Sequence, residues 1–210
     1  MEEKKRNIIK EAGRMYLKVG IRNVTMDNVA TEFAISKKTL YQYFSDKEDL
    51  VSHVVDYFLE DLGKNLQKIS RGNDNAIDRM FKIREHVAFI LKIYNSHIEQ
   101  DLEKTYPRLY KKVHETKRQR IFSGTIENLN QGIAEGLYRE GLETYFIAKL
   151  QVGRLLYTLN PHFNVFEEYE VNTLAFFDSM MNYHMHAICT AKGLEYYKKQ
   201  LTTVQNGDKD

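Results

Sequence analysis

The fold of this chain is decided by residues 25–44, which read TMDNVATEFAISKKTLYQYF. Thr25 and Ser36 are suited to begin helices, because a side-chain hydroxyl can accept a hydrogen bond from a free amide of the first turn. The apolar residues that would form the inner faces of these helices follow at helical spacing and are Val29, Ala30, Phe33, Leu40 and Phe44. The stretch therefore predicts two short helices joined by a tight turn at Ala34 and Ile35.

The second of these helices, predicted over residues 37–44, has an outer face without acidic residues. That face comprises Lys37, Lys38, Thr39, Tyr41, Gln42 and Tyr43. Lysines bind phosphates, and hydroxyl and amide groups can bond to phosphates or to the edges of bases. A helix that merely faces solvent is expected to mix Glu with Lys. The composition of this face therefore indicates a helix that enters a groove of DNA.

The run from Ile35 to Leu50, ISKKTLYQYFSDKEDL, resembles the N-terminal DNA-binding domain of the tetracycline-repressor (TetR) family of bacterial one-component regulators. Upstream, the residues that fit the first helix of that family are Ala12, Met15, Tyr16 and Gly20. The resemblance covers residues 5–55, and beyond them it rests on chain length and an all-helical pattern. Lys38 departs from the family pattern, which often has a small residue there.

This resemblance implies a homodimeric repressor that binds a palindromic double-stranded DNA operator and is released by a small-molecule effector. The residues predicted to bind DNA are Thr25, Ser36, Lys37, Lys38, Thr39, Tyr41, Gln42, Tyr43 and Lys47. Thr25, Tyr41 and Lys47 are expected on phosphates. The candidates for base edges are Lys37, Thr39, Gln42 and Tyr43. The alternative is a helical protein–protein interaction module that uses the helix-turn-helix only as a scaffold.

Apolar residues recur at helical spacing along the chain, and it contains only two prolines. The predicted fold is all-α: a three-helix helix-turn-helix head over residues 1–46 and a larger helical bundle over residues 47–201, with about nine to ten helices in total. A capping box at Ser45–Glu48 is predicted to start the helix that follows the head. The other predicted helices cover residues 3–19, 76–96, 98–106, 108–135, 145–159, 168–191 and 194–201. The polar tail, residues 202–210, is predicted to be disordered.

The composition is that of a soluble globular protein, with 42% hydrophobic and 29% charged residues. A net charge of +2 is close to neutral, so DNA binding would have to come from a local basic face. A single cysteine, Cys189, allows no internal disulfide and favours a reducing compartment. The charged N-terminus is unlike a signal peptide, and no apolar run approaches the roughly 20 residues of a membrane span. We therefore expect a cytoplasmic protein that has no membrane partner.

The last two long predicted helices carry more apolar residues than one inward stripe requires, and a helix that is apolar on two sides is buried on two sides. The family uses its last two long helices as a four-helix dimer seam, although Met and aromatic stripes also form ordinary cores. The predicted dimer residues are Leu155, Leu156, Phe177, Met181, His184 and Ile188.

The middle helices hold many aromatic and polar-tipped residues, which line small-molecule pockets but also occur in ordinary cores. The resemblance favours a pocket here. The predicted effector-binding residues are Phe89, Tyr94, His97, Tyr110, Phe122 and Tyr157.

Neither catalysis nor cofactor binding is predicted, because no glycine-rich phosphate loop, G-x-S-x-G, H-E-x-x-H or C-x-x-C motif occurs. His184 and His186 stand two residues apart, so on a helix they point to different sides. His186 and Cys189 could share an ion, but they have no evident third ligand. No metal site is predicted.

Overall fold

The computed structural model describes residues 2–93, 96–157, 165–171 and 173–207. Within these ranges the chain forms eleven helices and no extended strand; a single isolated β-bridge joins Tyr138 to Cys189. The helices are α1 (Glu2–Val19), α2 (Met26–Glu32), α3 (Lys37–Tyr41), α4 (Lys47–Arg71), α5 (Ala76–Ile93), α6 (Ser96–Thr105), α7 (Pro107–Ala134), α8 (Thr144–Tyr157), α9 (Glu168–Val171), α10 (Leu174–Ile188) and α11 (Ala191–Gly207). The all-α prediction is confirmed.

The two helices of the N-terminal motif begin where the sequence predicts. Thr25 caps α2 in a capping box with Asn28, and the Ser36 hydroxyl accepts from the amide of Thr39 at 3.0 Å. Ala34 turns the chain between them with a φ of 48°, a left-handed conformation that is uncommon outside glycine. The Ile35 amide closes this turn by donating to the Ala30 carbonyl at 3.0 Å.

Two boundaries in this region differ from the prediction. Helix α3 ends at Tyr41 and not at Phe44, because the amide of Tyr43 donates three residues back, to Leu40, and tightens the last turn. Helix α4 is capped by Asp46 and not by Ser45: the Asp49 amide donates to the Asp46 carboxylate at 2.8 Å. The Asp49 carboxylate in turn accepts from the Ser45 amide at 2.9 Å.

Packing divides the chain into two compact units, and the first consists of Met1–Asn65 and Ile93–Thr116. Its core contains buried residues of the N-terminal helices, among them Ile8, Val29, Leu40, Phe44 and Leu50. The same core contains Leu102 of α6, Tyr106 between α6 and α7, and Leu109 of α7. Helix α6 and the start of α7 are therefore packed with the helix-turn-helix, although the sequence analysis assigned them to the region after residue 46.

The second unit consists of Leu66–Lys92 and Lys117–Asp210. The largest buried side chains of its core are Ile77, Leu129, Tyr138, Met185 and Tyr197. A two-pronged ion pair crosses this unit, in which Arg84 of α5 donates to Asp178 of α10 at 2.7 Å and 2.9 Å. Arg84 is almost fully buried.

The C-terminal helices differ from the prediction in two ways. The single helix predicted over residues 168–191 is broken, because Thr173 caps α10 by accepting from the Phe176 amide at 3.1 Å. The disorder predicted from residue 202 is wrong up to Gly207, where α11 ends, whereas residues 208–210 lie outside the described ranges. Helix α11 continues because Leu201 and Val204 pack against the core that already contains Tyr197.

Candidate nucleic-acid interface

The face of α3 that the sequence assigned to DNA is turned outward. Lys37, Lys38, Tyr41 and Gln42 are exposed. Thr39 and Tyr43 are half-buried, so only part of each side chain faces solvent. The inner face is closed, since Leu40 is 0% and Phe44 1% exposed. The short helix is thus held from behind by two apolar side chains while its cations and hydrogen-bonding groups face solvent.

The two capping hydroxyls, Thr25 and Ser36, are already engaged in the protein. The Thr25 hydroxyl accepts from the Asn28 amide at 3.1 Å and donates to the Asn28 side-chain carbonyl at 2.7 Å. The Ser36 hydroxyl lies 2.8 Å from that of Thr39 in addition to accepting from its amide. These residues therefore shape the motif, and a new hydroxyl donation to a phosphate would replace an existing hydrogen bond.

An acid approaches the cationic face from the neighbouring helix. The ammonium of Lys37 lies 2.9 Å from Asp27 of α2, and the hydrogen bond and charge of this carboxylate raise the Lys37 pKa. The outer face of α3 itself has no acid, as predicted. The composition of α3 alone does not reveal that Asp27 of the neighbouring helix pairs with Lys37. Both side chains are more than half exposed, so solvent and salt weaken their attraction.

Lys47, the first residue of α4, is less exposed than the lysines of α3. Its ammonium donates to the backbone carbonyl of Arg22 at 3.3 Å. Partial burial lowers the pKa of Lys47, and the charge of Asp101 acts in the opposite direction. The cation at the start of α4 is therefore held in place by the turn between α1 and α2.

His53 of α4, which was not among the predicted site residues, contacts both α1 and the segment that follows α3. Lys5 of α1 lies 2.9 Å from Nε2 of His53 in α4, and an ammonium can only donate, so Nε2 accepts and Nδ1 carries the ring proton. Nδ1 then donates to the Asp49 carbonyl at 2.8 Å. The ring of Phe44 packs edge-on against His53, with centroids 5.5 Å apart. Lys5 and His53 are 48 residues apart, so no spacing pattern in the sequence relates them.

Three of the six predicted dimer residues are buried in their own unit. Met181, His184 and Ile188 are 3%, 8% and 2% exposed. The other three, Leu155, Leu156 and Phe177, are half-buried. The exposed apolar residues of α8 and α10 are different ones: Tyr145, Phe146, Leu150 and Tyr183, each at least 58% exposed. The stripe that the sequence analysis chose on α10 is therefore the inner stripe of this helix.

The described members of the predicted effector set belong to both compact units. Tyr110 packs against the core of the first unit, with its ring 4.2 Å from that of His114. In the second unit Phe122 contacts the ring of Tyr145 edge-on at 5.3 Å, and Phe89 is 60% exposed. Tyr94 and the side chains of His97 and Tyr157 lie outside the described residues.

A polar cleft of about 380 Å³ occurs in the first unit, and none of the predicted effector residues lines it. Its lining residues are Arg22, Asn23, Gln100, Asp101 and Lys104.

Among the residues that the structure describes, no group of three His, Cys, Asp or Glu side chains could hold a metal ion. His184 is buried, and desolvation together with the charge of Arg154 lowers its pKa to about 4. Burial raises the pKa of the Cys189 thiol to about 11. None of the described helices has the length and apolar character needed to cross a membrane.

Comparison with known proteins locates the N-terminal motif within a protein family. Residues 8–54 match the model of the bacterial regulatory proteins of the tetR family. The transcriptional regulator YerO of Bacillus subtilis is 28% identical over 164 residues, which cover 72% of this chain and 52% of YerO. The chain thus spans about half the length of that relative. The transcriptional repressor KstR2 of Mycobacterium tuberculosis is 27% identical over 143 residues, 65% of this chain and 70% of KstR2.

The same fold occurs in solved structures. A transcriptional regulator from Cytophaga hutchinsonii aligns with a TM-score of 0.70 and 20% identity over 89% of this chain and 99% of that one. The N-terminal motif thus belongs to the tetR family of bacterial regulatory proteins, and the described chain shares the fold of a transcriptional regulator.

Proposed function

We propose that this protein binds a palindromic DNA operator as a homodimer and represses transcription until a small-molecule effector releases it. The observation that carries the proposal is the outward face of α3, on which Lys37, Lys38, Tyr41 and Gln42 are exposed over a buried Leu40. The action is binding and not catalysis, and it takes place in the cytoplasm, where a bacterial operator is found.

In this proposal α3 enters the major groove and α4 begins at the phosphate backbone. Two copies of α3 in a symmetric dimer would lie in successive major grooves, about 34–36 Å apart. Lys37, Thr39, Gln42 and Tyr43 are assigned to base edges; Tyr41, Lys47 and the Thr25 turn are assigned to phosphates. Because Lys37 is paired with Asp27 in the free protein, base contact by Lys37 would exchange one hydrogen-bond partner for another.

The dimer seam is assigned to the exposed side of α8 and α10 in the second unit. Phe146 and Leu150 follow each other by four residues on α8, and Tyr183 is 73% exposed on α10. A methyl group on Gly153 would meet no atom within 4 Å, so the surface of α8 is also open one turn beyond Leu150. Exposed apolar groups that are neighbours on one helix, as Phe146 and Leu150 are, are typical of interfaces.

An effector changes operator binding only if it binds the dimer more tightly at one separation of the two DNA-reading heads than at the other. Coupling of this kind is typically of order 1–3 kcal/mol, which is about 5-fold to 150-fold in operator affinity.

Selection of bound fragments from random double-stranded DNA, followed by fluorescence anisotropy in a series of salt concentrations, tests the proposal. We expect a palindromic consensus and a steep loss of affinity with salt. Lys47→Ala should weaken binding to every sequence and reduce the salt slope by about one, whereas Lys37→Ala should change the preferred sequence. Lys198→Ala, a change of an exposed lysine on α11, is the control and should have neither effect. Binding that is insensitive to salt and sequence would instead favour the protein-interaction alternative.

A further inference from the structure

Helix α6 makes a specific polar contact with the DNA-reading region, in addition to sharing its core. The carboxylate of Asp101 accepts a hydrogen bond from the backbone amide of Arg22 at 2.9 Å. Arg22 lies in the turn between α1 and α2, three residues before the cap of α2. All of these residues belong to the first compact unit. A side chain of α6 thus holds the turn that leads into the helix-turn-helix.

The same residue of the turn also holds the cation that begins α4. The carbonyl of Arg22 accepts from the ammonium of Lys47, so the backbone of one residue bonds to α6 on one side and to α4 on the other. The turn is further fixed by Asn23, whose side-chain amide donates to the Val19 carbonyl at 2.7 Å. The position of the Lys47 ammonium therefore depends on the turn, and the position of the turn depends on Asp101.

A carboxylate at this position does more than satisfy an amide. The Arg22 amide is exposed and water could bond to it, so the hydrogen bond alone does not require an acid. Lys47 is partly withdrawn from water, which disfavours its charged form, and the negative charge of Asp101 opposes this effect. Asp101 thus both positions the turn and favours the cationic form of Lys47.

We propose that Asp101 is a positioning residue for operator binding, which holds the Arg22 turn and thereby the ammonium of Lys47 where it meets a DNA phosphate. This inference rests on the proposed function. It assigns an acidic residue a favourable role in binding a polyanion, which is opposite to the ordinary electrostatic expectation that removing an acid strengthens DNA binding.

The test compares Asp101→Ala with Asp101→Asn and with Glu195→Gln, which removes one negative charge from an exposed position on α11. Asparagine keeps an oxygen that can accept from the Arg22 amide, so Asp101→Asn removes the charge with little change of shape. We expect Asp101→Ala, which removes the acceptor of the Arg22 amide, to raise the operator Kd by about 5-fold to 10-fold because the Lys47 contact weakens. Asp101→Asn, which keeps this acceptor, should stay within about 2-fold of the wild type. Glu195→Gln should leave the Kd unchanged or lower it slightly.

A double-mutant cycle separates positioning from general stabilisation. In a Lys47→Ala background, Asp101→Ala should change the Kd by less than about 2-fold, since the contact that Asp101 supports is already gone. Additive effects of Lys47→Ala and Asp101→Ala, or binding by Asp101→Ala as tight as that of the wild type, would overturn the inference while leaving the proposed function intact.

A measurement without DNA keeps the two proposals distinguishable. The side-chain NMR signals of Lys47 should titrate at lower pH in Asp101→Asn than in the wild type, and those of Lys198 should not move. If the wild type bound no DNA, the proposed function would fail, and the Lys47 titration would still decide whether Asp101 acts on Lys47. An unchanged Lys47 titration in Asp101→Asn would refute the claim that the charge of Asp101 favours the cationic form of Lys47.

Discussion

The ammonium of Lys37 on α3 lies 2.9 Å from one carboxylate oxygen of Asp27 on α2 and 3.1 Å from the other. The first residue of the DNA-reading helix is therefore neutralised by its neighbouring helix when DNA is absent. With 55% and 65% of the two side chains exposed, the pair is open to solvent and to competing ions. Lys37 can consequently be transferred from the carboxylate to a base or a phosphate.

Asp27→Asn should strengthen DNA binding, because it removes a negative charge from the interface and releases Lys37. We expect about 3-fold to 10-fold tighter binding at low salt and a smaller difference at high salt, where charges are screened. Anisotropy titrations of the same DNA fragment at several salt concentrations provide the measurement. Glu127→Gln on the exposed side of α7 is the control for the change in net charge. Equal affinities of wild type and Asp27→Asn would show that Asp27 does not restrain Lys37.

Gly193→Ala should destabilise the second unit, because a methyl group would overlap the carbonyl oxygen of Leu137 and lie 2.9 Å from its carbonyl carbon. That carbonyl cannot easily move, since it accepts from the Thr190 amide at 2.9 Å. We expect a loss of about 3 kcal/mol in urea unfolding.

Gly124→Ala is the matched control, since a methyl group there would meet no atom within 4 Å in the middle of α7. It should raise the free energy of unfolding by about 0.5–1 kcal/mol through its higher helix propensity. Similar changes in the free energy of unfolding for Gly193→Ala and Gly124→Ala would contradict the close approach of Leu137 to Gly193.

Asp178→Asn should cost about 3 kcal/mol of stability, because a neutral amide replaces the carboxylate that pairs with the buried guanidinium of Arg84. The double variant Arg84→Met/Asp178→Leu should recover most of this loss, since it removes both charges and leaves apolar side chains. Chemical unfolding of the single variant, the double variant and the wild type measures the loss and the recovery. A double variant as unstable as the single one would show that Arg84 is needed for its shape and not for its pairing.

The stability of the second unit should fall as the solution becomes mildly acidic, because His184 is held neutral. Its pKa is about 4 in the folded protein and 6.5 when unperturbed, so the unfolded chain alone binds a proton between these values. The stabilisation is complete above about pH 6.5 and is lost progressively towards pH 4. We expect a loss of roughly 2 kcal/mol between about pH 7 and about pH 5.

Urea unfolding of the wild type and His184→Gln at both pH values measures this effect, because the carboxylates contribute equally to both proteins. The wild type should lose more stability than the variant. Parallel losses would show that His184 is not the group responsible.

Leu150→Glu should convert the proposed dimer to monomers, because it would bury a charge on the exposed apolar face of α8. Analytical ultracentrifugation across a range of protein concentrations gives the mass directly. Lys198→Glu, a charge change on the exposed side of α11, should leave the mass unchanged. A Leu150→Glu protein that keeps the dimer mass would show that the dimer interface lies on another surface. A monomeric wild type would refute the symmetric dimer.

The N-terminal motif could be predicted in detail because the interactions that form it are local. Thr25 bonds to the amide of Asn28 and Ser36 to that of Thr39, each three residues away. The apolar spacing that buries Leu40 and Phe44 is equally short. Prediction was weaker at the ends of helices, as at Asp46, where two adjacent residues can both act as the cap and their surroundings select one.

The sequence alone determined that the chain is helical, that its reading face is cationic and which family it resembles, since all three depend on residues within a few positions of one another. The tertiary structure decided which side of α10 is buried, where α11 ends, and that Asp27 contacts Lys37, His53 contacts Lys5 and Asp101 contacts Arg22. A helix that is apolar around its circumference can bury either side. Contacts such as that between Arg22 and Asp101, 79 residues apart, leave no periodic trace in a sequence, because only the packing of the core brings them together.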